Sequence, residues 1–180
     1  MALRKIVLRG DEILTKVCKP VKEITPRIVE TMNDMVETME ENYGVGLAAP
    51  QIGVMKRFFV ARPYPDAENE EMDQIYFMIN PEITEREGSQ ESCEGCLSYP
   101  GYVGYVNRPT RIKMKAQDLD GVWHDYEFED FAAVVMSHEY DHLDGILYTD
   151  KARDIMTNEE HDAMMAELEA EEAEGESAEN

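Results

Sequence analysis

The chain has 180 residues, of which 43% are hydrophobic and 8% aromatic. This length and composition are typical of one globular domain with a substantial core, and they exclude a wholly disordered chain. The formal net charge of −22 disfavours direct binding to nucleic acids or anionic membrane surfaces, because both depend on Lys and Arg side chains.

The charge is unevenly spread along the chain, and the few cysteines indicate a reducing compartment. Residues 159–180 hold ten carboxylates and no Lys or Arg, so residues 1–158 account for −12 of the net charge. The three cysteines, Cys18, Cys93 and Cys96, are too few for a disulfide framework, which fits a reducing compartment. No segment reaches the roughly 20 apolar residues of a membrane span, and the N-terminus lacks the apolar core of a signal peptide. We therefore expect a cytoplasmic protein that binds neither nucleic acid nor membranes.

Residues 25–43 predict an amphipathic helix. Thr25 suits the N-cap position, Pro26 the first helical position and Gly44 the position just past the end. Apolar residues recur at spacings of three and four, so they form one buried face, and we expect its methionines to fill gaps in the core. These apolar residues are Ile28, Met32, Met35, Val36, Met39 and Tyr43.

Short β-prone segments follow this helix. Residues 57–61 and 75–79 are rich in aromatic and β-branched residues, and the segment between them, with its prolines and carboxylates, is typical of a solvated loop. Residues 112–117 alternate between apolar and polar side chains, as expected of a half-buried strand. The pair Asp120-Gly121 then predicts a hairpin turn.

The last part of the chain returns to helical spacing at residues 130–144. A further helix-prone stretch begins after residue 154, with Thr157 as a candidate N-cap, and its end has too little apolar surface to offset the entropy of ordering it. We therefore expect a main domain of residues 1–155 and an acidic C-terminal helix or tail of residues 156–180 that is partly disordered. The order of elements, without regular βαβ alternation, indicates an α+β fold with mainly antiparallel sheet.

The segment SHEYDH, residues 137–142, carries a short chemical motif. On a helix, His138 and His142 lie one turn apart on the same face and can share one metal ion, while Glu139 can reach a water molecule on that metal. The His-Glu-x-x-His pattern is typical of zinc hydrolases. The alternative is a polar helix face with two surface histidines. A catalytic metal needs a third protein ligand, which the motif does not supply.

Two regions compete for the third ligand. In metzincins a third histidine follows the motif, but Tyr148 occupies that position here, and a downstream glutamate ligand would have to come from Glu159 or beyond, where the globular pattern fades. Upstream lie Cys93 and Cys96. A cysteine thiolate together with two imidazoles suits several divalent metals and leaves one coordination position open for water.

The Cys93-x-x-Cys96 spacing has two other interpretations. Half of a structural zinc site would need a second ligand pair, and the only suitable pair is the two histidines already spaced for catalysis. A redox pair usually begins a helix in a βαβ unit, which Pro100 and Gly101 disfavour. One cysteine as ligand and the other as a bystander is the interpretation we favour.

The segment GVGLAAPQIG, residues 44–53, is rich in small residues. It lacks the Lys and Ser or Thr of a phosphate-binding loop. Small residues allow a backbone to approach a ligand closely, and Gln51 can supply an amide donor.

Three segments together resemble the motifs of the bacterial peptide deformylases in order and approximate spacing. They are GVGLAAPQ at residues 44–51, EGCLS at residues 94–98 and HEYDH at residues 138–142, and the resemblance extends over roughly residues 4–150. It implies an α+β fold in which antiparallel β-sheets pack around a central helix carrying the His-Glu-x-x-His motif. It also implies hydrolysis of the N-terminal formyl group from N-formylmethionyl peptides, releasing formate.

The resemblance assigns roles to individual residues. It implies one divalent metal ion bound by Cys96, His138 and His142, natively Fe(II) in many members, with Zn, Ni or Co as alternatives. Glu139 would be the catalytic acid and base. The further catalytic positions by resemblance are Gln51 and the Leu97 N–H, which would form the oxyanion hole, and Gly46, which would lie against the substrate or the reacting water.

Substrate selection by resemblance needs an apolar pocket for an unbranched methionine side chain. Family resemblance and helical phase nominate Val45, Phe131, Val134 and Val135, and Gly95 of the cysteine motif is a further substrate-binding position. The alternative for the three helix residues is plain core packing. Asp141 faces away from the metal side, so we expect a structural role, with Arg108 as its salt-bridge partner by resemblance.

Some positions depart from the family pattern. Ser137 stands where many members have Gln. Val103 stands where many have a basic residue, so the resemblance does not carry over one peptide-backbone or carboxylate contact, whereas it does carry over the chemistry. In some members a basic C-terminal helix is associated with the ribosome, whereas this tail is acidic. We expect a monomer that meets nascent peptides near the ribosome without docking through its tail.

Two rival functions remain at the level of sequence. The first is a His-Glu-x-x-His metallopeptidase with a different third ligand, which would keep its metal when Cys96 is replaced. The second is a non-catalytic binding module of the same fold, which the retained Gln51 and Glu139 disfavour.

Overall fold

The structure is a computed structural model, and it describes residues 2–64 and 73–178. The loop predicted between the first two β-prone segments lies largely outside these residues, at 65–72, as do the last two residues of the tail. The helices are α1 (Pro26–Glu41), α2 (Asp130–Leu143) and α3 (Asn158–Ala178). The strands are β1 (Gly46–Ala48), β2 (Phe58–Ala61), β3 (Tyr76–Glu87), β4 (Gln90–Cys96), β5 (Tyr99–Arg108), β6 (Arg111–Gln117), β7 (Trp123–Glu129) and β8 (Arg153–Thr157).

Helix α1 begins as its sequence predicts and ends slightly differently. The Thr25 hydroxyl accepts a hydrogen bond from the Ile28 N–H at 3.4 Å, and Pro26 is the first helical residue. At the other end Tyr43, rather than Gly44, adopts the left-handed conformation, with φ of 56°. Gly44 is needed for a different reason, because a Cβ atom there would lie 2.7 Å from the Leu97 Cδ1 atom.

A five-stranded antiparallel sheet separates α1 from α2. Its strand order is β1-β2-β3-β6-β7. Alternate side chains of β2 enter the two cores: Phe58 and Val60 join the α1 methionines, and Phe59 and Ala61 join the residues of α2. The predicted hairpin between β6 and β7 is present, with Gly121 at φ of 80°.

A smaller sheet of order β4-β5-β8 covers another side of α2. These three strands were not predicted from the sequence. The sequence of β4, QESCEGC, is polar and contains a glycine, so it has neither the alternation nor the β-branched residues that mark a strand. Its strand conformation comes from pairing with β5, and the pairing is irregular between Gly95 and Cys96.

Helix α2 is buried on almost every side. From Ala132 to Glu139 every residue is buried, as are Asp141, His142 and Leu143. A helix enclosed in this way needs apolar side chains around most of its circumference, and a polar residue that it buries without a hydrogen-bond partner calls for an explanation. The α+β class, the antiparallel sheets and the central motif-bearing helix are confirmed.

No helix in the described ranges is both long enough and apolar enough to cross a membrane. Helix α3 is long but rich in carboxylates. Its start is fixed by a reciprocal pair of hydrogen bonds, in which the Thr157 N–H donates to the Glu160 carboxylate at 2.8 Å and the Glu160 N–H donates to the Thr157 hydroxyl at 3.2 Å. Thr157 therefore caps this helix, as its sequence predicts.

Candidate active site

Three potential metal ligands converge where α2 meets the end of β4. The donor atoms of Cys96, His138 and His142 all lie within 4.8 Å of one another, and the Cys96 Sγ and His142 Nε2 atoms are 3.4 Å apart. One thiolate and two imidazoles form a donor set that suits Fe(II), Zn(II), Co(II) or Ni(II). The chemistry and spacing of these residues fit a single divalent ion.

Glu94 fixes the orientation of the His138 ring. The His138 Nδ1–H donates to the Glu94 Oε2 atom at 2.8 Å, which leaves Nε2 directed toward the other two ligands. Glu94 in turn accepts two hydrogen bonds from the Arg108 guanidinium, at 2.7 and 2.9 Å. Burial opposes its ionisation, but the hydrogen bonds from Arg108 and His138 lower the pKa of Glu94 to about 2. Glu94 is therefore ionised and can only accept hydrogen bonds at neutral pH.

The Arg108 side chain links this carboxylate to the outer face of α2. Its Nη1 atom donates to the Asp141 Oδ2 atom at 2.6 Å, and Lys151 donates to the same oxygen at 2.6 Å. Both Arg108 and Asp141 are buried. The contact expected between Arg108 and Asp141 is thus present, on the side of the helix away from the ligands.

Glu139 is buried beside the ligand trio. Burial raises the pKa of its carboxyl to about 7, against the opposing charge of His138, and a cation held by the trio would lower it again. Its Oε2 atom is buried and has no hydrogen-bond partner among the described residues. A Cβ atom at Gly46 would lie only 2.3 Å from the Glu139 Oε1 atom, so this carboxylate occupies space that only a glycine leaves free.

Gln51 is held with its amide N–H groups facing the trio. Its Oε1 atom accepts a hydrogen bond from the Ala48 N–H at 2.7 Å. Its Nε2 atom then donates to the Cys96 Sγ atom at 3.4 Å and to the Ser98 hydroxyl at 3.2 Å. The side chain is 1% exposed, and its amide is fixed without contact to bulk water.

A cavity of about 610 Å³ opens onto the trio. It lies between the smaller sheet, the start of β1 and the first turns of α2. His142 is buried behind it, whereas the other residues nominated from the sequence all line it. These lining residues are Val45, Gly46, Gln51, Gly95, Cys96, Leu97, Phe131, Val134, Val135, His138 and Glu139.

Two departures from the family pattern also lie at this site. Val103 of β5 lines the cavity, so an apolar side chain stands at its wall. The Ser137 hydroxyl is buried and has no hydrogen-bond partner among the described residues. Tyr148, which replaces the metzincin histidine, is buried with its ring 6.0 Å from the His138 ring, and its hydroxyl donates to the Tyr102 carbonyl at 3.2 Å.

Sequence reasoning assigned no role to Glu94 or Ser98. Both belong to the segment EGCLS, residues 94–98, and both contact residues of the site. No local signal identifies Glu94, because its strand forms only through pairing with β5. Nothing local indicates that Arg108, fourteen residues further on, would be its partner.

Comparisons with known proteins agree with one another. A family profile described as polypeptide deformylase matches residues 3–158. The peptide deformylase of Agathobacter rectalis is 46% identical over 151 residues, which span 84% of this chain and 90% of that one. The peptide deformylase of Acetivibrio thermocellus is 48% identical over 151 residues, 84% of each chain.

Solved structures show the same likeness. The crystal structure of peptide deformylase from Thermotoga maritima aligns with a TM-score of 0.79 and 38% identity, covering 85% of this chain and 99% of that one. The actinonin-bound class I type b peptide deformylase from Acinetobacter baumannii aligns with a TM-score of 0.75 and 32% identity, covering 85% and 100%.

Proposed function

The chain belongs to the polypeptide deformylase family, and from this premise we propose that the cavity beside Cys96, His138 and His142 is its active site. The family's reaction is hydrolysis of the formyl group from N-formylmethionyl nascent peptides, which releases formate. The observation that carries the assignment is the convergence of a thiolate, two imidazoles, the Glu139 carboxylate and the Gln51 amide on one cavity.

Cys96, His138 and His142 would hold one divalent ion. When bound, such an ion supplies Lewis acidity, which polarises a carbonyl group and makes water nucleophilic near neutral pH. We propose Fe(II) as the native ion and Zn(II), Ni(II) or Co(II) as ions that the same donors accept. The Glu94 carboxylate keeps His138 in the tautomer that leaves Nε2 available.

Glu139 moves the proton. Its carboxylate accepts a proton from the water molecule that attacks the formyl carbon, and it then delivers that proton to the nitrogen of the departing amine. Its position supports this role, because the carboxylate is buried beside the trio and its Oε2 atom has no hydrogen-bond partner among the described residues, so it can accept a hydrogen bond from the reacting water. Gly46 keeps the space that the carboxylate needs.

Gln51 and the Leu97 N–H stabilise the oxygen of the formyl group as it gains negative charge. The Gln51 side chain is held by the Ala48 N–H and the Ser98 hydroxyl, and the N–H that faces the Cys96 sulfur is the one that would turn to the formyl oxygen. Loss of one such donor typically raises the barrier by about 2.7–4 kcal/mol. Leu97 lines the same cavity and follows Cys96 directly.

The methionine side chain of the substrate would enter the apolar part of the cavity. Val45, Val134 and Val135 line it, and Phe131 lies at its exposed rim. An unbranched thioether can fill such a pocket without needing a charged partner. A Cβ atom at Gly95 would meet only ordinary contacts within the protein, so the packing of the protein does not itself require a glycine there. Its role would be to let the peptide backbone of the substrate approach β4 closely.

The defining experiment measures metal and product together. Protein purified anaerobically should contain about one Fe per chain by elemental analysis and release formate from formyl-Met-Ala-Ser. Cys96→Ser should lose both metal and activity, whereas the matched variant Cys93→Ser, on the same strand, should keep its metal. Absence of formate with every divalent ion tested would overturn the assignment.

The two rival functions predict different results. A metallopeptidase with another third ligand would keep its metal in Cys96→Ser and would cleave unformylated peptides. A binding module would bind formylated peptide without turnover. Actinonin is bound in the crystal structure of the Acinetobacter baumannii relative. We therefore expect actinonin to bind this cavity as well and to compete with the substrate.

We further propose that the enzyme acts as a cytoplasmic monomer close to the ribosome. The sequence contains few cysteines, and none of the three is in a disulfide. The acidic tail is not suited to binding ribosomal RNA, so the enzyme would encounter nascent peptides by diffusion.

A further inference from the structure

A second cysteine lies at the mouth of the cavity and has a histidine beside it. Cys93 is exposed, lines the cavity and precedes Cys96 by three residues on β4. The His161 Nε2 atom, from the first turns of α3, lies 3.5 Å from the Cys93 Sγ atom. A thiol and an imidazole at this distance can act as nucleophile and base.

The imidazole of His161 has an aromatic ring and a carboxylate as further neighbours. The His161 ring lies 6.1 Å from the ring of Tyr105, the residue that faces Cys93 across the β4–β5 pair. Its Nδ1 atom is 3.8 Å from the Asp162 carboxylate. The capped start of α3, at Thr157, sets the position of this turn.

We propose that Cys93 is a modification site, at which low-molecular-weight disulfides such as glutathione disulfide form a mixed disulfide with the assistance of His161 and thereby obstruct the cavity. The site is separate from the metal ligands, because the described groups able to hold a metal include Cys96 but neither Cys93 nor His161.

The chemical step is a thiol–disulfide exchange. The Cys93 S–H gives its proton to His161 Nε2, the sulfur attacks one sulfur of the disulfide, and the S–S bond of the reagent breaks. Cys93 is oxidised to the mixed disulfide, and the leaving sulfur is reduced and takes the proton from His161. Burial and the Glu94 carboxylate raise the pKa of the Cys93 thiol, so it is protonated at rest and needs such a base to react.

The other two cysteines are poor competitors for the same reagent. Cys18 is 3% exposed, and burial raises the pKa of its thiol to about 11. Cys96 is half-buried and belongs to the ligand trio, where a bound ion would hold its sulfur. Reaction should therefore be selective for Cys93.

The position of the adduct gives it a functional consequence. A glutathionyl group is a tripeptide, comparable in size to the substrate, and it would be anchored to the wall of the cavity that a peptide must enter. Formation of the adduct does not depend on the function proposed for the cavity, whereas loss of turnover does. The two can therefore fail separately.

The test treats the metal-loaded protein with glutathione disulfide and follows it by intact-protein mass spectrometry and peptide mapping. We expect one adduct per chain, on Cys93, with no loss of metal. Formate release from formyl-Met-Ala-Ser should fall at the rate at which the adduct forms and should return on reduction. Cys93→Ser should form no adduct and keep its own untreated activity during exposure.

Variants at His161 separate base assistance from mere exposure. His161→Gln should slow adduct formation by roughly 100-fold or more, the typical contribution of a positioned general base. The matched control is His124→Gln, an exposed histidine on β7 that pairs with Asp118 and does not line the cavity, and it should react at the wild-type rate. A primary adduct on Cys96, or equal rates for His161→Gln and wild type, would overturn the proposal. So would full activity of chains that carry the Cys93 adduct.

Discussion

The carboxylate of Glu139 leaves no room for a Cβ atom at position 46. We expect Gly46→Ala to displace Glu139 and to reduce kcat by roughly 100-fold or more, the contribution of a positioned acid–base group. The metal content should be unchanged, because the three ligands do not contact this position. Steady-state formate release would measure kcat, and elemental analysis would measure the metal content. A fully active Gly46→Ala enzyme would show that Glu139 is not required in its observed position.

Glu94 acts on the metal through His138. Glu94→Gln removes the charge that fixes the tautomer of His138, so metal affinity should fall by about 10–100-fold, as is usual for such partners. Competition with a chromophoric chelator measures this directly. The matched control is Glu91→Gln, an exposed carboxylate on the same strand that pairs with Arg153 and not with a ligand. Equal metal affinities for the two variants would contradict the positioning role.

At the scale of elements, α1 is held to the five-stranded sheet by methionines. Met35 of α1 is fully buried and belongs to the core between this helix and the sheet. This supports the interpretation that the methionines fill core gaps. Met35→Ala should lower the free energy of unfolding by about 2–5 kcal/mol through lost burial and the cavity left behind. The measurement is chemical denaturation followed by circular dichroism.

The control for this prediction lies on another helix. Met165 of α3 is 39% exposed, so Met165→Ala should change the free energy of unfolding by less than about 0.5 kcal/mol. Equal effects of the two substitutions would mean that the buried face of α1 contributes little to stability.

The elements also differ in how far their sequences predict them. Helix α1 and the β6–β7 hairpin follow from local patterns, since the cap at Thr25 and the turn at Gly121 each involve only nearby residues. Strand β4 could not be predicted in this way, because its polar sequence becomes a strand only through pairing with β5.

At the scale of the whole molecule, the side-chain contacts described between the acidic helix and the domain lie near the start of that helix. Asn158 lines the cavity and His161 contacts Cys93. Truncation after Glu171 should therefore leave kcat/KM unchanged and shift the thermal midpoint by less than about 2 °C. Ribosome co-sedimentation at physiological salt should also be unchanged, and a loss of ribosome binding in the truncated protein would refute our expectation for the tail.

The division of the chain into a catalytic domain and an acidic extension remains our proposal. The expected boundary, after residue 155, falls within β8, whose pairing with β5 continues to Thr157. The partial disorder expected of residues 156–180 stays a prediction; α3 is helical to Ala178, and the last two residues lie outside the described part of the chain.

The sequence by itself determined the family, the α+β class and the two histidines on one helix face, because periodicity and short motifs are local properties of a chain. Only the tertiary structure brought Cys96 within reach of His142 and joined Glu94, Arg108 and Asp141 into one buried network. These contacts join positions 14 to 46 residues apart. They depend on how β4 pairs with β5 and how that sheet packs on α2, and no local pattern encodes either. The same packing placed Cys93 beside His161, a pair that neither residue's sequence neighbourhood suggests.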